Sequence, residues 1–274
     1  MERVDEFFST ARERYLIKMK RESDHPAPWT TDSAFRHWRF CNVHREDDRT
    51  TIWFRENIRS KVKKKHLLQA TLIFRWFNRI STGETLKDLI LGEWKPEEAR
   101  SRLDGAKHIV TGAYMIRSPE GLSKLDGVIH CINLALPQLE EVSNGWGENL
   151  EEAWKSLLPL YGLGPFMCYE IVSDLRWTPL LNKATDIMTW ANAGPGCARG
   201  LGRVVSNDRR LFDRHKNQVE MLDLMRKLLL MSQDNMFWPS TWPKWEMREV
   251  EHWSCEFEKW CAAKDGRKLK RRFA

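Results

Sequence analysis

Several short stretches of this chain carry residue types that can bind anions, move protons or meet a base. Gly162-Leu163-Gly164-Pro165 sets two glycines before a proline suited to open a helix. Glycine permits a sharp turn and lets a phosphate approach backbone N–H groups, and a helix start attracts anions, so Gly162 and Gly164 are candidate phosphate contacts. Asp186 follows in Thr185-Asp186-Ile187-Met188-Thr189-Trp190, where it reads either as an N-cap or as a functional carboxylate at a helix start. A carboxylate so placed is a weak base and better suited to stabilising positive charge. Trp190 offers a flat face for an exposed base.

Phe40-Cys41-Asn42-Val43-His44-Arg45-Glu46-Asp47-Asp48-Arg49 breaks an apolar pattern with dense polar groups, which need specific partners if buried and are a solvated loop if not. Arg75 and Asn78 lie inside the apolar run IFRWFNRI, where an arginine either closes an internal salt bridge or grips an anion in a cleft. Arg199 and Arg203 follow Gly194-Pro195-Gly196, a candidate anion-binding nest of backbone N–H groups. Glu251, His252, Glu256 and Lys259 share roughly one helical face and read first as a polar network against the core, with contact to a substrate as the alternative.

The elements that must position these groups are helices. Apolar spacing predicts helices over residues 1–22, 33–44, 85–91, 96–103, 109–116 and 122–136, with a helix from Leu67 to Phe77 ending near Ser81-Thr82-Gly83. His130 is expected in the core. Leu150 to Leu158 leads into the Gly-Leu-Gly-Pro turn and a second helix. Val219, Leu222, Met225, Leu228 and Leu229 mark an amphipathic helix, and a last helix runs from Glu246 to about Cys261. Strand signals are few, so the expected class is all-α. The tail 264–274 is basic and expected to be mobile, and Lys61 to Lys65 forms a local positive patch.

With 274 residues and 42% hydrophobic content, the chain can build a substantial core, in one large domain or two lobes. Forty-five Lys and Arg against 38 Asp and Glu leave a formal charge of +7, which suits a polyanionic partner. Six scattered cysteines form no C-x-x-C pair, so neither a zinc site nor a disulfide framework is expected. The charged N-terminus and the lack of long apolar runs point to the cytoplasm and exclude a membrane role.

The Gly-Leu-Gly-Pro turn with Asp186 beyond it is similar to the helix-hairpin-helix of the DNA glycosylase superfamily. Five segments in order resemble a single family within it, the α-glutamyl/putrescinyl thymine pyrophosphorylase family, whose phage members are amino acid:DNA transferases. These are FCNVHREDDR (40–49), IFRWFNR (73–79), LYGLGPFMCYEIVSDLR (160–176), ATDIMTWANAGPGCARGL (184–201) and REVEHWSCEFEKW (248–260). Departures are Cys168, where alanine is common, and Cys197-Ala198, where a basic residue is expected. Phe166 stands where lyase-type glycosylases carry their Schiff-base lysine, so lyase chemistry is not expected.

The resemblance implies a single helix-hairpin-helix glycosylase-like domain over 1–274, with helical additions at both ends and 157–203 as its hairpin, catalytic-Asp and glycine-rich segment. It implies transfer of an amino acid, glycine foremost, or another amine such as a polyamine onto 5-pyrophosphoryloxymethyl-uracil in DNA, with release of pyrophosphate. A 5-hydroxymethyluracil DNA kinase would supply that substrate, a divalent metal could accompany the pyrophosphate, and a phage-encoded enzyme would work in the host cytoplasm. Asp186 would be catalytic; Asn42, Arg45, Asp48, Arg49, Arg75, Asn78, Trp190, Arg199 and Arg203 would hold substrate or pyrophosphate; Glu251, His252 and Lys259 are secondary candidates. The alternatives are a monofunctional glycosylase that excises a modified base and a noncatalytic DNA-binding module.

Overall fold

The computed structural model describes residues 1–112, 114, 116 and 118–269. Among these residues the regular elements are helices and no strand is formed, as an all-α class requires. None of the helices is long and apolar enough to cross a membrane. The chain divides into two compact units, one built from residues 1–48 with 187 onward and the other from residues 49–186.

The first unit holds α1 (Val4–Glu22) and α2 (Ser33–His37). The second holds α3 (Arg49–Phe54), α4 (Leu67–Phe77), α5 (Ile80–Leu91), α6 (Pro96–Leu103), α7 (Lys124–Ala135), α8 (Leu139–Asn144), α9 (Leu150–Leu157) and α10 (Pro165–Leu175). The first unit is completed by α11 (Pro195–Ser206), α12 (Gln218–Met231) and α13 (Met247–Lys264).

In the first unit α13 is the core element. Met247, Val250, Trp253 and Phe257 are fully buried on it, and Phe7 of α1 meets the Phe257 ring edge-on at 5.5 Å. Each such side chain contributes roughly 1.5–3 kcal/mol by leaving water. A capping box between Glu246 and Glu249 starts the helix. α11 lies flat on α13 because its glycines face it: a Cβ on Gly200 would coincide with the Ser254 carbonyl, and one on Gly196 would overlap the Cys255 sulfur. The glycine-rich stretch is therefore a packing device between two helices. In α12, Met221, Leu224, Met225, Leu228 and Leu229 face inward while Val219 is exposed.

The second unit is organised around α4, where Leu72, Ile73 and Phe74 are fully buried and Phe54 stacks on Phe74 at 4.8 Å. α4 stops at Asn78, which takes the left-handed conformation (φ 44°). α9, a turn and α10 form the expected helix–turn–helix, and Gly162 adopts φ 77° in the turn. A side chain at Gly162 would also run into Cys131 Sγ at 2.8 Å and the Trp76 ring at 3.1 Å, so packing as well as turning demands glycine here.

Some expected boundaries move. The 33–44 helix ends at His37, because residues 38–43 leave the helix and bond to other elements. α5 begins at Ile80 and runs through Ser81-Thr82-Gly83; Gly83 sits inside the helix because a Cβ would meet Trp53 at 2.5 Å. The described residues of 109–116 are not helical: Thr111 N–H donates to the Phe77 carbonyl and Thr82 Oγ1 to that of Ile109. His130 is exposed, edge-on to Tyr161, instead of in the core. In the tail, Lys264 pairs with Asp32 at 2.8 Å and Arg267 with Glu258 at 2.9 Å, while residues 270–274 lie outside the described residues.

Candidate active site

The first unit brings together two sequence stretches some two hundred positions apart, residues 40–48 and the inner face of α13. Cys41 N–H donates to Glu256 Oε2 at 2.8 Å, and His252 Nε2 donates to the Asn42 carbonyl at 3.1 Å. Asn42 N–H donates to Asp48 Oδ1 at 2.8 Å and its Nδ2 to the Asp47 carbonyl at 2.7 Å, which folds the loop on itself. The other Asp48 oxygen lies 3.9 Å from His252 Nε2. Lys259 closes on Glu256 at 2.9 Å. Backbone groups freed by ending α2 at His37 are thus satisfied by charged side chains of α13.

Arg14 joins this cluster from α1, donating Nε to the Cys41 carbonyl at 3.0 Å and Nη2 to that of Phe40 at 3.4 Å. Its buried Nη1 has no hydrogen-bond partner among the described residues. Sequence reading did not single out Arg14. The signal was there: with Phe7 and Ala11 it makes an i, i+4, i+7 series on the buried face of α1, so it is a cation on an apolar stripe.

The carboxylates here are held in different states. Burial pushes Glu256 up, but Lys259, His252 and the Cys41 N–H outweigh it and hold the group below the ordinary glutamate range. Burial pushes Asp48 up and prevails over His252 and the Asn42 N–H. Burial, with Glu256 and Asp48 close by, raises the Cys41 thiol well above its usual value. Nearby, burial lowers His44 to about 4 and raises Glu249, which stands 3.9 Å from His44 Nδ1. Two carboxylates pushed apart beside an imidazole is an arrangement found where proton transfer is managed.

The remaining candidates of this unit have varied surroundings. Arg45 is buried in a short 3-10 turn beside the cluster, and Trp190 is only 7% exposed, so its ring is a core surface and not a stacking platform. Arg199 is half-buried on α11, with its Nε buried and unpartnered among the described residues. Arg203 is committed internally: Nε to Glu258 at 3.2 Å, Nη1 to Asn207 at 2.9 Å, Nη2 to Asp265. Glu251 sits half-buried near the start of α11, with Oε1 3.8 Å from where a Gly194 Cβ would lie.

In the second unit, Arg75 closes an internal ion pair. Nε and Nη2 reach the two oxygens of Asp174, the latter at 2.8 Å; Nη1 donates to Asn78 Oδ1 at 2.6 Å and Nη2 also to Thr51 at 3.3 Å. Both charged side chains are 1% exposed. Of the two readings open for an arginine in an apolar helix, this is the salt bridge. Arg49 is exposed at the first position of α3.

Asp186 does not open a helix of its own; residues 185–189 form turns and the next helix starts at Pro195. Its carboxylate instead accepts Leu150 N–H at 2.7 Å and Glu151 N–H at 3.0 Å, tying the far side of the hairpin to the start of α9. Glu148 completes the tie by accepting Thr185 N–H on its carbonyl at 2.7 Å. Gly164 caps α10 with open space where a Cβ would be.

Comparison with known proteins adds two findings. Residues 1–268 match the family model described as 5-hmdU DNA kinase, helical domain. The chain is 25% identical over 293 aligned positions to a 5-hmdU DNA kinase of Bacillus phage SP10, an alignment covering 93% of this chain and 44% of that protein. The chain thus spans less than half the length of that relative, and no solved structure matches it. Since the family match runs over nearly all of the chain, this protein belongs to the family described as 5-hmdU DNA kinase, helical domain.

Proposed function

We propose that this chain acts in thymine hypermodification of DNA, replacing pyrophosphate on a 5-pyrophosphoryloxymethyl-uracil base with an amino acid or another amine. The amine nitrogen lone pair attacks the C5-methylene carbon, the carbon–oxygen bond to pyrophosphate breaks, and the ammonium proton passes to a basic group. The observation that carries this reading is the convergence of residues 40–48 with α13 into one cluster of ionisable groups around Asn42, Asp48, His252 and Glu256. Those two stretches are among the segments on which the resemblance to the transferase family rests.

The relative's name is that of a kinase, and the family's name carries the same word. The present chain has no G-x-x-x-x-G-K-S/T stretch with which to cradle a nucleotide triphosphate. The helical family description and the net charge of +7 favour a part that handles the modified base within DNA. Reactions on a base in duplex DNA require its extrusion from the stack, and departing pyrophosphate requires cations. Arg14, Arg45, Arg49 and Arg199 are assigned to anions, whereas Arg75 and Arg203 are assigned to holding the fold. Asp186 is assigned to the amine or to positive charge developing at the methylene, through its place after the hairpin.

Nucleoside mass spectrometry tests the reading. Duplex carrying 5-pyrophosphoryloxymethyl-uracil is incubated with the protein and a pool of amino acids and polyamines. A nucleoside with an amine in place of pyrophosphate is expected. Free base with abasic sites would make the protein a glycosylase, and unchanged DNA with binding intact would make it a binding module.

A further inference from the structure

The structure assigns a divalent-metal site, best suited to zinc, to Cys41, Asp48 and His252. One ligand atom from each lies within 4.8 Å of the other two. Ligands arranged tetrahedrally at zinc distances of about 2.0–2.3 Å stand roughly 3.3–3.8 Å apart, so an ion requires only a small closing of the present positions. The Asp48–His252 edge, at 3.9 Å, is already near that span. Thiolate, imidazole and carboxylate together are a zinc donor set, since sulfur disfavours magnesium and calcium.

Cys41 and Asp48 are each oriented by a bond that the ion does not need. Cys41 is anchored through its N–H on Glu256, itself held by Lys259. One Asp48 oxygen takes the Asn42 N–H, so the other is the one turned to His252. His252 Nε2, which donates to the Asn42 carbonyl in the metal-free protein, gives up that proton and exchanges the carbonyl for the ion on binding. Outer bonds of this kind fix ligand geometry in metal sites. All three ligand residues are half-buried, so an ion and one further ligand can reach them from solvent. Three protein ligands leave a fourth position for water or an anionic oxygen, the pattern of sites that act on substrates. Sequence spacing hides this site, since Cys41 and His252 are far apart and no C-x-x-C pair is present.

The inference goes beyond the proposed reaction, because the ion would be held whether or not the chain modifies DNA. Its test therefore needs no DNA. The full chain is freed of metal with a chelator and titrated with Zn²⁺, and separately with Co²⁺, whose thiolate charge-transfer absorption reports a sulfur ligand. One ion per chain and a charge-transfer band are expected, with Cys41→Ser losing the band and His252→Gln or Asp48→Asn weakening zinc at least tenfold. Absence of the band in the unsubstituted protein, or equal zinc affinity in the folded His252→Gln and Asp48→Asn variants, overturns the site. The unsubstituted protein decides the matter even where Cys41→Ser does not fold. Metal binding without amine transfer would leave this site standing and remove the proposed reaction alone.

Discussion

The molecule contains two constellations of charge that read alike in sequence and are built on opposite principles. In the second unit, Arg75 and Asp174 face each other at 1% exposure, with Asn78 and Thr51 as further partners and the Phe54 and Phe74 rings within 5.5 Å of the guanidinium. In the first unit, His252 and Asp48 are half-buried, carboxylates of the same cluster are shifted in opposite directions, and Arg14 keeps an unpartnered donor. A closed pair satisfies its charges internally and can serve only the fold. An open cluster keeps capacity for a ligand, and it is there that chemistry should be sought.

The sharpest way to break this contrast is to open the closed pair. Arg75→Met should leave Asp174 as an uncompensated buried charge and cost about 3–5 kcal/mol. Urea unfolding measures it, and the double variant Arg75→Met with Asp174→Leu should recover much of the loss. A single variant that unfolds like the parent would show the pair to be idle and erase the distinction.

Next in size is an acid sensitivity confined to the first unit. His44 packs edge-on against Tyr15 and Trp238 and is held near 4 by burial. Unfolded, it titrates near 6.5, so between these values the unfolded chain takes up a proton that the folded chain refuses. The contribution is full above about pH 6.5, falls as pH drops towards 4 and then levels, by about 3 kcal/mol in all. His44→Phe keeps the aromatic contacts and should flatten that part of the stability–pH profile. An unchanged slope in the variant would place the acid sensitivity elsewhere.

What was legible in the sequence follows from the range over which each signal acts. Helices with a clean apolar stripe, such as α1, α4 and α12, are written in local spacing. The Gly-Leu-Gly-Pro turn is too, because Gly162 needs a positive φ whatever surrounds it. Glycines inside helices misled: Gly83, Gly196 and Gly200 answer to Trp53, Cys255 and Ser254, contacts that exist only once the chain is folded. The polar 40–49 stretch reads equally as a solvated loop, because Glu256 as the acceptor of Cys41 N–H and Arg14 as its neighbour are tertiary facts. Arg75 and Arg203 show the limit most plainly. An arginine in an apolar segment looks the same whether its anion is a ligand or an aspartate elsewhere in the chain.

Asp186 stands between the two kinds of site, since it caps α9 and is also the proposed catalytic carboxylate. Asp186→Asn keeps an acceptor for one of the two N–H groups and loses the charge at the helix start, which should cost about 1 kcal/mol. A thermal shift of a few degrees with transfer lost at least a hundredfold would mark it as catalytic. The same shift with transfer intact would leave it a cap and move the proton acceptor into the open cluster.

The smallest effect on stability should come from Asn42→Ala, and it tests the open cluster most directly. Asn42 makes three bonds there, and two of them belong to its backbone: N–H to Asp48 and the carbonyl to His252. Alanine keeps both and removes only the Nδ2 bond to the Asp47 carbonyl, worth about 0.5–1.5 kcal/mol. The loop, the Asp48–His252 edge and metal affinity should therefore survive nearly unchanged. If the side-chain amide meets the edge of an extruded uracil, KM for the pyrophosphorylated DNA should rise at least tenfold while metal content stays at one ion per chain. If KM and metal content are both unmoved, Asn42 acts through its backbone alone, and recognition of the base must be sought on other groups.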